Sequence, residues 1–286
     1  MFNIKDYGAA GDGQTKDTAA LQAAVDACSE AGGGTVYFPG GTYLSGTLRI
    51  PSFVTLNIST GATLLGSPDM DDYPHDDLVH HGDRTGYHLL RVHGAEQVTI
   101  SGGGIIDGNG PAFWDSPEDP RGTTILVKNT GKVTYPPQDP NDPDYEWSGF
   151  RLALSKLYRP SPMISVVDCH DIRIEGVTLK DTPGWAVHVC RTQRAWLRGI
   201  SILNPLDGPN SDGLDIDGCT DIFISDCYII NGDDAIVMFS APGNGPCERI
   251  TINNCIISTR CAAIKLYAHE AMDYEGVNSD HTIRQV

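Results

Sequence analysis

The sequence predicts an all-β solenoid, a parallel β-helix that is preceded by one helix. After residue 31, apolar stretches with helical spacing are nearly absent, whereas short alternating apolar runs are frequent. From residue 172 onwards, a phrase of two apolar-x-apolar pairs returns at intervals of 23, 27 and 28 residues. A fixed period of about 25 residues with several short strands per unit is typical of a solenoid. Because the units are all-β, we expect the coils of a parallel β-helix over residues 1–286 as one domain.

Charge and hydropathy exclude several classes of partner. The chain has 286 residues and a formal net charge of −17, which argues against nucleic acid and anionic membrane surfaces. A polyanionic substrate would have to be attracted by local basic residues. No apolar run reaches the ~18–20 residues of a membrane span. The first residues lack the apolar core of a signal peptide, so we expect a cytoplasmic protein, or a secreted or periplasmic one whose signal was removed.

The first predicted element is a helix over residues 17–31. Asp17 and Thr18 can cap its start, and the glycines of residues 32–34 end it. One apolar stripe with helical spacing marks its buried face, formed by Leu21, Ala24, Val25 and Cys28. We expect this amphipathic helix to cover the open end of the sheet stack.

Short strands follow from residue 35, separated by Gly, Pro and Ser. The first of them are predicted at Val36–Phe38, Thr42–Leu44, Thr47–Ile50, Val54–Ile58 and Ala62–Leu65. The repeated phrase begins at Val98, Ile172, Ala195, Ile222 and Ile250. Alternation along each strand places one face in the core and the other in solvent, and Asn and Asp between the strands suit tight corners.

Two polar regions interrupt the pattern. Residues 67–88 are rich in His and Asp, but their spacing fits no zinc pattern, so we expect a solvated loop. Residues 115–150 contain Pro- and Asp-rich runs that cannot be ladder strands. We expect one or two long loops there, with a short strand at 124–127, and long loops of this kind are commonly functional. They are predicted to wall a cleft.

The eight cysteines indicate repeat positions rather than a metal site. Cys219 and Cys247 lie 28 residues apart, as do Cys227 and Cys255, which places each pair on equivalent rungs. No CxxC pair occurs, so a zinc site is not expected. We expect buried thiols that pack as small apolar groups, with a disulfide as the open alternative. No metal and no cofactor are predicted.

Two acidic clusters, in Asn210–Asp217 and Asn231–Phe239, run directly into apolar alternation. Asp212 and Asp233 lie 21 residues apart and Asp234 follows. If 21 residues make one coil, these carboxylates lie on neighbouring strands, ~4.8 Å apart. Inverting glycosidases separate two carboxyl groups by roughly 6.5–9.5 Å to admit a water. The alternative is that these residues only hold turns.

Together these stretches resemble glycoside hydrolase family 28, the polygalacturonase-type pectin hydrolases, which fold as a right-handed parallel β-helix. Residues 6–18 and 34–40 resemble the N-terminal cap of many pectin-degrading β-helices. Residues 104–110 with Trp114, the pair 159–160 and residues 185–188 are similar to phrases of bacterial members. Asn210–Asp212 and Gly232–Asp234 resemble the two acidic catalytic motifs of the family.

The resemblance implies an inverting hydrolase of a galacturonate- or rhamnogalacturonan-type polysaccharide or oligosaccharide. Asp233 would be the general acid, and Asp212 and Asp234 would activate the water. Three clustered carboxylates cannot all ionise easily, so at least one pKa should rise. Asn210, which opens the first motif, is predicted to bind substrate.

Two motifs of the family lack counterparts. The Gly-His-Gly motif expected one coil after Asp234 falls on residues 260–262, which contain no histidine, and no Arg-x-Lys motif follows. Residues 281–286 read like the start of another coil, so we expect that C-terminal coils are missing. The open sheet end could then self-associate, although a monomer is the first expectation.

Other side chains could replace the missing groups. Inward-facing alternation leaves His188, Asp215, Val237 and Lys265 in one outward column beside the carboxylates. Lys265 and Arg260 could bind an acidic sugar, and His188 could contact the bound sugar. The alternative for Lys265 and Arg260 is that they merely neutralise nearby aspartates.

Two further functions stay open on the same fold. One is a polysaccharide lyase or transferase, and the other is a non-catalytic carbohydrate-binding β-helix. The sequence contains no trimer-forming coiled coil of the kind that tail-fibre proteins use.

Overall fold

The computed structural model describes residues 1–78, 84–115, 126–127, 133–134, 152–153, 159–268 and 283–284. In these residues the chain winds into coils whose strands stack into three sheets of nine, eight and seven strands. Neighbouring strands in the three sheets are parallel. The fold is the predicted right-handed parallel β-helix. No helix among the described residues is long and apolar enough to cross a membrane.

Seven successive coils of the described chain contribute one strand to each of the three sheets. Sheet 1 contains Phe2–Asn3, Gly34–Phe38, Val54–Ile58, Thr99–Ser101, His170–Glu175, Gln193–Arg198, Thr220–Ser225, Cys247–Asn253 and Ile283–Arg284. Sheet 2 contains Asp12–Lys16, Gly41–Ser45, Ala62–Gly66, Ile105–Asp107, Thr178–Lys180, Ser201–Leu203, Tyr228–Asn231 and Ile256–Thr259. Sheet 3 contains Leu48–Arg49, Leu90–His93, Ile164–Val167, Val187–Cys190, Leu214–Asp217, Ile236–Ser240 and Ile264–Ala268.

Shorter elements complete the described chain. Single 3₁₀ turns occur at Ile4–Tyr7, Met70–Asp72 and Gly110–Phe113. Two antiparallel pairs join Trp114–Asp115 to Leu152–Ala153 and Leu126–Val127 to Val133–Thr134. Of the strand predicted at 124–127, the structure shows the last two residues, Leu126–Val127. The remainder of the predicted 115–150 loops lies outside the described residues.

The predicted helix spans Thr18–Glu30, and its apolar stripe is fully buried against the first strands. The predicted cap is wrong in one respect. Asp17 occupies the N-cap position but makes no side-chain hydrogen bond to the helix. Its carboxylate accepts hydrogen bonds from the backbone N–H groups of Ala10 (2.6 Å) and Gly11 (3.0 Å) instead. Asp17 therefore fixes the glycine-rich turn that precedes the helix.

The strand register confirms the repeat. On sheet 1, Ile172 lies opposite Ala195, which lies opposite Ile222, which in turn lies opposite Ile250. These are the first positions of the repeated phrase, and all four are buried. Ile283–Arg284 pairs with Cys247–Glu248, so the predicted start of another coil also stacks on the sheet.

Oppositely charged residues stack at the corner that leads into sheet 1. Asp171, Arg194, Asp221 and Arg249 all adopt left-handed backbone conformations, with φ between 54° and 61°. The guanidinium of Arg194 donates two hydrogen bonds to Asp171, and that of Arg249 donates two to Asp221. Asp tolerates this conformation better than most residues, and the bidentate pairs offset part of the cost for Arg.

All eight cysteines are free thiols, and six of them are buried as predicted, whereas Cys255 and Cys261 are partly exposed. Cys219 and Cys247 lie on successive rungs, and the Cys247 thiol donates to the carbonyl of Phe239. Cys219 receives a hydrogen bond from the backbone of Thr192. Burial raises the pKa of Cys247 to about 11, so it stays a thiol and packs as an apolar group.

The solvated loop predicted at residues 67–88 is present only in part, because Asp71, His75 and Asp77 are exposed whereas residues 84–86 and His88 are buried. In the described part, the Asp76 carboxylate lies 2.9 Å from Arg84 Nη2 and 3.4 Å from Arg91 Nε. The His88 ring is fully buried, and its Nδ1 lies 2.7 Å from the carbonyl oxygen of Pro162. Acidic and basic residues of one polar segment can form ion pairs with each other when the segment packs against a sheet. The spacing of these residues in the sequence did not reveal which of them pair.

Core packing in the coils gives a first prediction. Replacing the buried Ile224 with Ala should lower the free energy of unfolding by about 2–5 kcal/mol, because it leaves a cavity between stacked rungs. Ser225→Ala, on the outward side of the same strand, should change it by less than about 0.5 kcal/mol. Urea unfolding followed by circular dichroism measures both. Equal losses for the two variants would contradict the assigned register.

Candidate active site

The corner between sheets 2 and 3 brings the two acidic motifs together. Asp212 precedes the strand Leu214–Asp217, and Asp233 and Asp234 precede Ile236–Ser240. The register pairs Leu214 with Ile236. Asp212 therefore lies level with Asp234, one residue away from the alignment with Asp233 that the 21-residue spacing predicted. All three acids lie on neighbouring rungs at one place.

Backbone and amide contacts tie the two acidic turns to each other. Asn231 Nδ2 donates to the carbonyl oxygens of Ser211 and Asp234, both at 2.9 Å. Ser211 Oγ accepts a hydrogen bond from Gly232 N at 3.0 Å. A Cβ at Gly213 would lie 2.3 Å from the carbonyl oxygen of Ala235, so that only glycine allows the two turns to approach this closely.

The three acids are nearly buried, with exposed fractions of 7% for Asp212, 3% for Asp233 and 4% for Asp234. Asp233 Oδ1 accepts a hydrogen bond from Asp234 N at 2.9 Å. Asp234 Oδ1 accepts from Ala262 N at 2.9 Å, and Asp234 Oδ2 lies 2.6 Å from Lys265 Nζ. Both carboxylate oxygens of Asp234 therefore have a donor within hydrogen-bond distance.

Lys265 occupies the outward column that the sequence predicted, opposite Val237, which is opposite Asp215. Burial alone would lower its pKa, but the hydrogen bond and charge of Asp234 raise it above the ordinary value. Lys265 is therefore a permanent cation at the site. The structure shows its contact with Asp234, while sugar binding by Lys265 stays a prediction. Arg260 lies exposed in the turn before Cys261, and its predicted role is likewise untested.

The other two predicted substrate-binding residues are buried. His188 has no exposed surface, and its ring lies against Trp185 and parallel to Phe239. Burial lowers the pKa of His188 although Asp217 opposes this. Asn210 is 4% exposed, and its Oδ1 accepts a hydrogen bond from Arg159 Nη2 at 3.1 Å. Both roles remain predictions, and in this conformation neither side chain is open to a sugar in the groove.

Arg159, which the sequence analysis cited within a family-like phrase without assigning it a role, is a positioning residue. Its guanidinium has no exposed surface, and besides Asn210 it donates to the carbonyl oxygens of Pro183 (2.7 Å) and Pro209 (2.9 Å). It thereby joins the turn before Asp212 to the turn of the preceding coil.

A fourth acid also belongs to the site. Asp215, which the sequence analysis placed in the outward column without a role, is 1% exposed. Burial raises its pKa well above the ordinary value, and the charges of Asp234 and Asp233 raise it further. Its Oδ2 has no hydrogen-bond partner among the described residues. The alternation Leu214-Asp-Ile-Asp217 was the available signal, because it directs Asp215 outward beside the catalytic candidates.

Two groups of described side chains have ligand atoms close enough together to bind a metal ion. In each group, a carboxylate also contacts a nitrogen of another side chain. The ligand atoms of Asp233, Asp234 and Cys261 lie within 4.8 Å of one another, but the ammonium of Lys265 is bound to Asp234. Burial, followed by the charge of Asp233, raises the pKa of Cys261 to about 12. The second group is His188, Cys190 and Asp217, where Asn244 Nδ2 donates to the carboxylate.

The raised pKa of Asp215 gives a second prediction. Its folded state holds a proton that the unfolded chain releases near pH 3.9, so this contribution to stability is lost as pH rises from that value through the folded pKa. Asp215→Asn has no such proton to lose. Its unfolding free energy should rise relative to the unmodified protein between pH 4 and pH 7, by at most about 1.4 kcal/mol per pH unit.

Denaturant unfolding at several pH values measures the difference. Asp171→Asn is the matched control, because the hydrogen bonds of Arg194 lower the pKa of Asp171 and its replacement should show no gain at higher pH. A pH-independent difference for Asp215→Asn would mean that Asp215 is ionised in the folded protein.

Comparisons with known proteins show which families have sequences similar to this chain. The family model "Glycosyl hydrolases family 28" matches residues 154–259, which contain all three catalytic candidates. The model "Rhamnogalacturonase A/epimerase, pectate lyase-like" matches residues 1–74, the region of the helix and first strands. Arg260 and Lys265 lie beyond the family 28 match.

Curated relatives cover most of this chain. It is 30% identical over 249 residues to "Probable polygalacturonase" of Vitis vinifera, a match that spans 83% of this chain and 44% of that protein. It is 26% identical over 268 residues to "Exo-poly-alpha-D-galacturonosidase" of Dickeya chrysanthemi, spanning 82% and 41%. Mannuronan C5-epimerase AlgE3 of Azotobacter vinelandii is 50% identical over only 66 residues, 23% of this chain and 4% of that protein. The chain thus spans less than half the length of these relatives.

Solved structures share the fold. The family 28 exopolygalacturonase of Yersinia enterocolitica superposes with a TM-score of 0.67 at 19% identity, covering 93% of this chain and 55% of that one. PfbA, a surface adhesin of Streptococcus pneumoniae, superposes with a TM-score of 0.60 at 20% identity, covering 93% and 58%. The fold alone therefore does not fix the activity. The family model over residues 154–259 and the polygalacturonase relatives show that the part of the chain with the candidate acids is similar to glycoside hydrolase family 28.

Proposed function

We propose that the protein is an inverting glycoside hydrolase that cleaves a pectic polysaccharide or oligosaccharide of galacturonate or rhamnogalacturonan type. The observation that carries the proposal is the meeting of Asp212, Asp233 and Asp234 at one corner of the solenoid, beside a cation. Its relatives named polygalacturonase support a pectic substrate.

The roles follow from the surroundings of each acid. Asp233 donates a proton to the glycosidic oxygen as the bond to the anomeric carbon breaks. A water attacks that carbon from the opposite face and gives its proton to Asp212 or Asp234, so the configuration inverts. The donors on Asp234, Ala262 N and Lys265 Nζ, fix the orientation of its carboxylate beside Asp212 and Asp233.

The positive charge of Lys265 and Arg260 supports an acidic sugar as the substrate. Lys265 keeps about two fifths of its side chain exposed, 41%, while it contacts Asp234, so a sugar carboxylate could share its ammonium. Arg260 lies exposed in the turn one coil below the acidic pair. We propose that these two residues stand in for the family's missing Arg-x-Lys and histidine groups. The site also comes from successive coils of one chain, which is consistent with the proposed monomer.

A lyase or transferase is the second candidate. It is favoured by the N-terminal match to a rhamnogalacturonase, epimerase and pectate lyase-like model. That match covers residues 1–74 and none of the acids. A lyase forms an unsaturated product that absorbs in the ultraviolet, whereas hydrolysis adds water and forms none.

The main test is hydrolysis of a panel of pectic polysaccharides, measured as reducing sugar released. Asp233→Asn should lower kcat by about 10²–10⁴-fold, since it removes the proton donor. Asp226→Asn, an exposed acid outside the site, is the control and should leave the rate unchanged. Proton NMR of the first product should show the inverted anomer. Equal release by Asp233→Asn would remove Asp233 from the mechanism, and an absorbing product would favour the lyase.

A further inference from the structure

We propose that His188, Cys190 and Asp217 form a binding site for one divalent transition-metal cation, and that Zn²⁺ is the ion that fits it. The three side chains lie on the outward face of sheet 3, on the neighbouring strands Val187–Cys190 and Leu214–Asp217. None of them is among the three acids of the proposed hydrolysis, so the inference does not depend on that function.

The strand register brings the three residues together. Cys190 lies opposite Asp217 in the parallel ladder. His188 comes two residues before Cys190, so its side chain leaves the strand on the same side. All three residues are without exposed surface. No metal was predicted from the sequence, since the ligands come from two different coils and form no local pattern.

The distances between the possible ligand atoms suit a small cation. His188 Nε2 lies 3.7 Å from Asp217 Oδ2, and Cys190 Sγ lies 3.7 Å from the same oxygen. One ligand atom from each residue lies within 4.8 Å of the other two. A point equidistant from three atoms spaced in this way is about 2.0–2.4 Å from each, and zinc bonds to N, O and S are about 2.0–2.3 Å long.

The His188 ring favours a metal ligand over a member of a hydrogen-bonded network. Neither Nδ1 nor Nε2 has a hydrogen-bond partner among the described residues, although the ring is fully buried. An unpaired buried polar atom costs free energy, and native structures rarely leave one without a reason. A cation between Nε2 and the Asp217 carboxylate would give that nitrogen a partner.

The charges also balance in a buried site. The Cys190 thiolate and the Asp217 carboxylate together neutralise a divalent cation, so the occupied site carries no net charge into the interior. On binding, the thiol proton leaves to solvent as the sulfur–metal bond forms. Arg191 Nη1 also lies 3.7 Å from Cys190 Sγ. Its Nε and Nη2 each donate to Asp168 at 2.7 Å, so that carboxylate offsets its charge.

Neighbouring groups orient the carboxylate of the site. Ala241 N donates to Asp217 Oδ1 at 3.0 Å, and Asn244 Nδ2 donates to Oδ2. Arg191 Nη1 in turn donates to Asn244 Oδ1 at 2.8 Å. Supporting contacts of this kind hold the ligands of protein metal sites in place. Three protein ligands leave a fourth tetrahedral position for a water.

The mixed ligand set selects the class of metal. Calcium and magnesium take oxygen ligands, whereas imidazole and thiolate suit zinc and its transition-metal neighbours. Because the three residues are fully buried, we infer an ion that stabilises the fold. It would join two neighbouring strands beside the acids, since His188 lies opposite Asp215. Metal binding of this kind adds directly to the free energy of folding.

Metal uptake by the full chain is the first test. The protein is freed of metal with a chelator, equilibrated with Zn²⁺ and desalted, and zinc is measured by mass spectrometry. One equivalent per chain is expected. With Co²⁺ in place of Zn²⁺, the visible bands of a four-coordinate ion and a thiolate charge-transfer band in the near ultraviolet are expected. Failure to retain zinc, or a cobalt spectrum without the thiolate band, would overturn the proposal.

Substitutions assign the ligands. Cys190→Ser should weaken zinc binding by more than about 100-fold, because loss of a mere supporting contact such as Asn244→Ala already costs about 10–100-fold. Competition with a chelating dye measures both. Cys169→Ser, which replaces another fully buried thiol, is the matched control and should keep the affinity of the unmodified protein. Equal affinities for Cys190→Ser and Cys169→Ser would contradict the assignment.

Thermal unfolding gives a second readout. Zn²⁺ should raise the Tm of the unmodified protein and of Cys169→Ser, because it binds the folded chain, and should leave the Tm of Cys190→Ser unchanged. If Cys190→Ser does not fold, His188→Gln with a native circular dichroism spectrum takes its place.

The other possible metal group provides the alternative outcome. Cys261→Ser removes the thiol beside Asp233 and Asp234 and should leave zinc uptake intact. Loss of zinc from Cys261→Ser with full uptake by Cys190→Ser would place the ion among the acids and overturn the proposal. None of these measurements uses turnover, so the metal site and the hydrolase can fail separately.

Discussion

The parallel register of sheet 3 is the constraint on which the site depends. It stacks the turn of Asp212 on the turn of Asp234, with Gly213 N donating to the carbonyl oxygen of Asp234 at 2.9 Å. Backbone stacking at this spacing keeps the Cα atoms of the acids on neighbouring rungs. Like charges a few ångströms apart repel by about 1–4 kcal/mol near a protein surface. The core of the solenoid must supply the free energy that holds them together.

The acids differ in the groups that surround them, so the electrostatic repulsion does not affect them equally. Asp234 contacts the ammonium of Lys265 and accepts a hydrogen bond from Ala262 N. Asp215 Oδ2 has no hydrogen-bond partner in the described structure, and burial with the neighbouring charges raises the pKa of Asp215. Such a difference in environment is how one site can hold both a base and an acid at the same pH.

The sequence predicts the solenoid well because repeat period and alternation are properties of the coil itself. The same two signals place Asp212, Asp233 and Asp234 together, and they direct Lys265 outward beside them. They do not identify partners across coils. Asp17 was expected to cap its helix and instead holds a turn, and Asp76 was expected in a solvated loop and instead pairs with the buried Arg84. Both errors concern a polar side chain whose partner depends on how separate segments pack.

The net charge of −17 sets a further requirement for an acidic substrate. Beyond a Debye length of about 10 Å at 0.1 M salt, the repulsion between protein and polyanion is largely screened. Partly buried charges are screened less than exposed ones, and the ammonium of Lys265 lies beside the candidate acids with 41% of its side chain exposed. For the acidic substrate that we propose, this local positive charge offsets part of the overall repulsion.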